Sequence, residues 1–311
     1  MAVLKCSDFL VLPKSCMRCS YSASITKIWL QSRVDYSMKV DITILCDNTV
    51  NTRGLFAEHG LSILLERTGR QVLLDVGQTT SVVRNASVLD IKFHNPPIIL
   101  SHGHYDHTGG LRSLIRIFPE MDIIAHPDVF TERFSIAGLE REVSSVGIPI
   151  SKEELMSRGA HLHLQKEPKE VIEGIWATGQ IYRPIPEDQT ITGLFLDSSG
   201  RIKDHVADDM AIIAEGAQKS ILLLGCAHAG VRNTVEQAET ITDKPIYGII
   251  GGMHLINAKE SQIRALATFL KERGITYIAA SHCTGWKAAG ILSTQFEFIF
   301  TAVGAKLRIH I

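Results

Sequence analysis

The stretch Ser101-His102-Gly103-His104-Tyr105-Asp106-His107-Thr108-Gly109-Gly110 follows directly on the apolar run at 97–100. Four side chains able to ligate a metal lie within six residues, where a buried strand would open into a Gly-rich loop. On a turn leaving such a strand, His102 and His104 can point the same way while Asp106 and His107 point to a neighbouring position. One segment can therefore serve two cations. Imidazoles suit Zn, Fe, Mn or Ni, and the carboxylate adds a harder oxygen donor. A purely structural reading is weak, because each buried imidazole and the carboxylate would need its own polar partner.

The composition around this stretch narrows the function classes. The 311 residues carry 32 Lys+Arg against 33 Asp+Glu, a formal net charge of −1. That balance offers a polyanion nothing, so no nucleic-acid partner is expected. No run approaches the roughly 18 consecutive apolar residues of a membrane span, so no membrane partner is expected either. The six cysteines, at 6, 16, 19, 46, 226 and 283, are too sparse for a disulfide framework and favour a reducing, cytoplasmic compartment. Thirteen histidines are the unusual feature, several of them in Gly-rich junctions after apolar runs.

Residues 1–37 read differently from the rest, with seven Ser, three Cys, five Lys+Arg and two acids. Three readings compete: a start upstream of Met38, a basic Ser-rich targeting segment, or a metal knuckle of Cys16 and Cys19 with Cys6. The first is preferred, making 1–37 a disordered or spurious extension and 38–311 the catalytic domain. From Met38 onward, strands are expected at 40–45, 61–65, 71–74, 97–100, 122–125, 171–176, 193–197, 210–214, 220–224, 246–250 and 276–279. Helices are expected at 111–118, 231–240 and 258–273, the last with a capping box of Asn257 and Glu260 and a Gly274 stop. The irregular stretch 127–170 reads as an inserted cap over a site. Two β-rich blocks, each carrying helices, favour a layered α/β sandwich over a doubly wound sheet.

The run from His102 to His107 resembles the His-x-His-x-Asp-His signature of the metallo-β-lactamase superfamily. Leu73-Leu74-Asp75-Val76-Gly77 is similar to that superfamily's first motif, in which the Asp supports the metal loop from behind. A narrower resemblance covers 38 to the C-terminus. Asp47-Asn48-Thr49, Glu58-His59-Gly60-Leu61-Ser62, Thr178–Arg183, Asp208-Asp209, Gly225-Cys226-Ala227-His228-Ala229-Gly230, Gly251–Leu255 and Ser281-His282-Cys283-Thr284-Gly285 occur in order. Together they resemble the subfamily named for 7,8-dihydropterin-6-methyl-4-(β-D-ribofuranosyl)aminobenzene 5′-phosphate synthase of methanopterin assembly.

The resemblance implies a four-layer αββα sandwich and two divalent ions, zinc first, with Mn, Mg or Fe as alternatives. His102 and His104 would hold one ion, with His228 as their third partner, and Asp106, His107 and His282 the second. Where the superfamily carries a bridging Asp, this chain has Cys226, read as a buried free Cys beside the site, with thiolate ligation the alternative; Cys283 is read the same way. His205, Asp208 and Asp209 compete for the third motif, Asp209 otherwise backing a ligand. Asp106 and His254 are the candidate catalytic groups, His254 as general acid or substrate contact. Arg183 would grip a phosphate and Thr284 would touch substrate. The remaining histidines, His59 among them, read as surface or core residues.

For such a centre the implied reaction is transfer with loss of diphosphate, on a small phosphorylated or pterin-like substrate. The alternatives are a metal-dependent hydrolase of a phosphoester or small ester, and a non-hydrolytic iron-binding or redox protein. The oligomeric state is left open by the sequence. A chain started at Met38 should keep full metal content and activity; loss of either on removing 1–37 would reject the preferred reading of that segment.

Overall fold

Alternation along single strands decides how the sheets stack. In the strand Ser62–Arg67, Ile63 and Leu65 enter one core while Leu64 enters another. Arg70–Leu74 divides in the same way, Val72 and Leu74 against Leu73, and Ser220–Leu224 splits Ile221 and Leu223 from Leu222 and Leu224. Strands apolar on both faces need cover on both faces.

The computed structural model describes residues 39–311 apart from 119, 138–141 and 187–192. The 1–37 extension, with its Cys16 and Cys19 pair, lies outside the described residues. Two seven-stranded sheets supply the layers. The first runs Lys306–His310, Lys39–Cys46, Ser62–Arg67, Arg70–Leu74, Ile98–Ile99, Asp122–Ala125, His161–Leu164. The second runs Glu297–Phe300, Tyr277–Ala280, Ile246–Gly251, Ser220–Leu224, Ala211–Glu215, Ile175–Ala177, Lys169–Ile172. Between them lies a core shared by Ile42, Ile63, Leu74 and Ile99 of one sheet and Ile175, Ile212, Leu223 and Ile250 of the other.

Helices cover the outer faces. Ser81–Val88, Leu111–Leu114 and Lys152–Ser157 bury Val82, Leu111, Leu114 and Leu155 against the first sheet. Val231–Thr242, Glu260–Glu272 and Trp286–Ser293 bury Val235, Ile263, Leu266, Leu270 and Leu292 against the second. This is the expected αββα sandwich. Each sheet is parallel on one side: Arg70–Leu74 through His161–Leu164 in the first, and Ser220–Leu224 through Glu297–Phe300 in the second. Loops leaving the carboxyl ends of parallel strands are the usual seat of a site in α/β folds, and the motifs carrying His102 to His107, Cys226, His228, His254 and His282 lie on such loops.

Several local expectations shift. The strand expected at 171–176 is a hairpin turning at Gly174, whose positive φ of 68° suits a residue without Cβ. The helix expected at 111–118 is α-helical only over Leu111–Leu114. The helix expected from 258 starts at Glu260, and the Gln262 side chain, not Glu260, accepts from a capping backbone N–H, that of Lys259. Gly274, at φ 77°, follows that helix as expected. Residues 127–170, expected as one cap, divide. Phe134–Ala137 and Glu142–Ser145 join Leu194–Phe195 in a small separate sheet, whereas Lys152–Ser157 and His161–Leu164 belong to the main sandwich. Among the described residues no helix is long and apolar enough to cross a membrane.

Leu223 is fully buried between the sheets. Leu223→Ala should lower the unfolding free energy by about 2–5 kcal/mol, read as a lower urea midpoint at unchanged slope.

Candidate metal centre

The centre begins with the chain leaving Ile98–Ile99. His102, His104, Asp106 and His107 are all buried there, the last two on the short helix Tyr105–Thr108. Gly103 is required by close approach: a Cβ would run into the Val129 carbonyl and the Arg133 guanidinium. Its N–H donates to Asp208 Oδ2 (2.8 Å), and Asp208 Oδ1 accepts from Arg133 Nη2 (2.6 Å). Arg133, buried and paired with Asp204 as well, ties the inserted segment to the back of the ligand loop.

Asp75 orients two of the imidazoles. Its carboxylate accepts from Ser101 N (2.7 Å), Ser101 Oγ (2.7 Å) and His107 Nδ1 (2.7 Å). With the Ser101 hydroxyl proton given to Asp75, its oxygen accepts from His102 Nδ1 at 2.9 Å. These partners assign the Nδ1–H tautomer to both rings and leave each Nε2 with a lone pair facing inward. His282 is set by the same logic. Its N–H donates to Asp47 Oδ2 (3.1 Å) and its Nδ1 donates to Asn48 Oδ1 (2.9 Å).

Two groups of donors result. Donor atoms of His102, His104 and His228 lie within 4.8 Å of one another, with His102 Nε2 and His104 Nδ1 2.8 Å apart. In the second group, Asp106 Oδ2 sits 3.5 Å from His107 Nε2, 3.4 Å from His282 Nε2 and 3.3 Å from His59 Nε2. The residues fit cations: His104 Nε2 and both ring nitrogens of His228 are buried without a hydrogen-bond partner. Such orphaned nitrogens are costly unless something else meets their lone pairs.

Electrostatics agrees with this donor chemistry. Burial, reinforced by neighbouring imidazoles, pushes His102 and His228 well below the ordinary histidine value. Burial likewise pushes His104 down to about 3. All three are therefore neutral, the form that donates to a metal. Burial alone would raise Asp106, but His107, His282 and His104 hold it well below the usual carboxylate range. Against its own burial, His107 is raised to about 9 by Asp106 and Asp75, which marks a place where positive charge is favoured. Asp75, Ala227, His254 and His282 all take positive φ between 48° and 56°. Strain of that kind persists only where the surroundings over-determine it.

The structure brings together His102, His104, Asp106, His107, His228 and His282, as the motifs implied. It changes other assignments. His59 is not a bystander: it belongs to a donor group with Asp106 and His282. The Glu58-His59-Gly60 motif was its sequence signal, weak because it lies in the loop leading into Ser62–Arg67, without the cluster of donors that follows Ile98–Ile99. Cys226 is a buried free thiol as expected, and its Sγ lies 3.2 Å from His107 Nε2. Cys283, likewise, sits with Cys226 and His282.

Arg183 turns its guanidinium to two backbone carbonyls. It donates to the carbonyls of His205 (2.7 Å) and Val206 (2.6 Å), holding Val206 at φ 50°, a costly conformation for a β-branched residue. Thr284 is buried, accepts from Met253 N and lies beside the Gly251 carbonyl, so it joins two loops. Of the third-motif candidates, Asp208 backs Gly103 and Asp209 accepts from Ala229 N (2.7 Å), behind His228; neither, nor His205, joins a donor group among the described residues. Burial raises Asp209 to about 7. His254 lies next to His228, ring centroids 4.4 Å apart, with its Nδ1 buried and unpartnered.

Comparison with known proteins agrees with this geometry. A family model described as the metallo-beta-lactamase superfamily matches residues 56–192. The chain is 33% identical over 272 residues to an uncharacterized protein of Methanocaldococcus jannaschii, spanning 85% of this chain and 98% of that one. It is 31% identical over 267 residues to the 7,8-dihydropterin-6-methyl-4-(beta-D-ribofuranosyl)-aminobenzene-5'-phosphate synthase of the same organism, spanning 80% of this chain and 89% of the synthase. Among solved structures, Tm1679, described as a metal-dependent hydrolase of the β-lactamase superfamily, superposes with a TM-score of 0.74 at 23% identity, over 87% of this chain and 99% of that one. That likeness shows the fold.

Asp75→Asn keeps the shape of the side chain but weakens its acceptance from Ser101 and His107. It should reduce metal affinity by about ten- to a hundredfold, measured by competition with a chelating dye, while the thermal midpoint of the metal-free protein changes far less.

Proposed function

This chain belongs to the metallo-β-lactamase superfamily, and from that premise we propose that it is a dinuclear transferase of the synthase type. In that reaction an arylamine nitrogen displaces diphosphate from a pterin methylene carbon. The superfamily and the donor groups support a metal-dependent enzyme; the choice of reaction rests on the likeness to the methanopterin-pathway synthase, which runs through both halves of the sandwich. One ion would be held by His102, His104 and His228, the other by Asp106, His107 and His282, with His59 at the edge. When bound, divalent ions supply positive charge that neutralises a leaving phosphate or activates water.

The chain's own groups do the remaining work. Asp75, Ser101 and Asn48 keep the Nε2 lone pairs of His102, His107 and His282 turned inward, so the donors need no reorganisation when substrate arrives. His254 is the proton carrier of this scheme. Burial opposes its charge, but Cys283, Asp209 and Asp106 raise it above the ordinary histidine value, so a proton is available close to His228 for the departing group. Arg133 and Asp208 anchor the inserted segment against the ligand loop, and Tyr105 N donates to the Val146 carbonyl of that segment (3.0 Å). A segment pinned there limits water at the donors, which transfer requires and hydrolysis does not.

A second reading is hydrolysis of a phosphoester or small ester. It is favoured by His59, whose side chain is 56% exposed while its Nε2 lies 3.3 Å from the buried Asp106 carboxylate, so the donors on that side reach the surface through this one ring. Metal-loaded protein incubated with a dihydropterin methyl diphosphate and an arylamine should yield the mass of the coupled product with release of diphosphate. If only the hydrolysed alcohol accumulates, the transferase reading is rejected and the hydrolase reading stands.

A further inference from the structure

We infer that the Cys226 sulfur, bound as a thiolate, bridges the two donor groups, making this a mixed nitrogen, oxygen and sulfur centre that selects thiophilic ions of the zinc and iron(II) class over magnesium and manganese. The inference rests on the dinuclear reading above and is independent of which reaction the centre performs.

Position is the first argument. Cys226 Sγ shares one donor group with His102 and His107, another with His228 and His254, and a third with His282 and Cys283, each within 4.8 Å. Among the described residues no other side chain enters three such groups. The sulfur thus faces ligands of both proposed ions. Its place is fixed by backbone packing. A Cβ at Gly225 would collide with Ser101 Oγ and crowd Asp75, so the chain passes tightly behind the ligand loop before presenting Cys226. Beyond it, Ala227 turns at φ 56° and Ala229 N is held by Asp209.

The second argument is the use of the nearby carboxylates. Asp75 is occupied by Ser101 and His107 and Asp208 by Gly103 and Arg133, whereas Asp209 accepts from Ala229 N through Oδ2, keeps Oδ1 buried without a hydrogen-bond partner and lies outside every donor group. Asp106 lies on the His59 and His282 side. The centre therefore holds a sulfur where an oxygen bridge would otherwise be needed. Cys283 completes the setting. Its Sγ lies 3.3 Å from Cys226 Sγ and accepts from His254 N at 3.2 Å. When a cation enters, the Cys226 S–H bond breaks, a sulfur–metal bond forms and the proton passes to buffer, with no change of oxidation state. Thiolates favour zinc and iron, whereas carboxylate and water suit magnesium and manganese.

The probe is Co(II) added to full-length protein stripped with a chelator. The wild type should develop an intense near-ultraviolet sulfur-to-cobalt charge-transfer band alongside the visible d–d bands. Cys226→Ser should lose that band and Cys283→Ser should keep it. Cys226→Asp should take up cobalt without the band and gain Mn(II) binding relative to Zn(II), which decides the matter even if the serine variant does not fold. Visible bands with no charge-transfer band in the wild type would overturn the thiolate bridge while leaving two cations in place. So would a band lost in Cys283→Ser and retained in Cys226→Ser, which would assign the sulfur ligand to Cys283. Failure to bind cobalt at all would instead remove the dinuclear reading on which the inference stands.

Discussion

A single buried carboxylate sets the geometry on which the rest depends. Asp75 has no solvent to satisfy it, so its oxygens must be met by protein, and they are met by Ser101 and His107. Those bonds fix the start and the end of the ligand loop at once. They also decide which nitrogen of each ring keeps its lone pair, the difference between an imidazole that can ligate and one that cannot. The cost of burying a charge is thereby converted into orientation.

The two sheets meet this requirement from opposite sides. The first carries Asp75 and the ligand loop; the second carries Cys226, His228, His254 and His282 on the loops after its parallel strands. Packing of the inner faces places these loops at one end of the sandwich. The apolar core is thus the device that closes the donor groups, since no local segment supplies more than four of the ligands. The inserted segment adds a further constraint through Arg133, whose buried guanidinium is matched by Asp204 and Asp208. Removing either acid would leave a buried charge short of a partner.

Much of this was legible in the chain. The ligand loop announces itself by four donors in six residues after an apolar run, and Asp75 by the resemblance of Leu73-Leu74-Asp75-Val76-Gly77 to the superfamily's first motif. Gly103 and Gly225 were readable as glycines, but not the close approaches that demand them. Short strands at the sheet edges, such as His161–Leu164, were missed because four alternating residues inside an irregular stretch are too few to stand out as a strand. Arg183 was open in the chain: a guanidinium suits a phosphate and a pair of carbonyls equally, and only its surroundings decide between them.

By itself, the sequence carried the layered α/β reading and the four clustered donors His102, His104, Asp106 and His107, because strand periodicity and donor spacing are local properties written into neighbouring residues, whereas His228 and His282 entered only through the resemblance to the superfamily. Tertiary structure decided the positions of His59, Cys226 and Cys283 and the duties of Arg183 and Thr284. Those depend on which distant loops are brought within a few ångströms of each other. A cysteine in a Gly-rich loop reads as inert until packing puts its sulfur 3.2 Å from a histidine more than a hundred residues away.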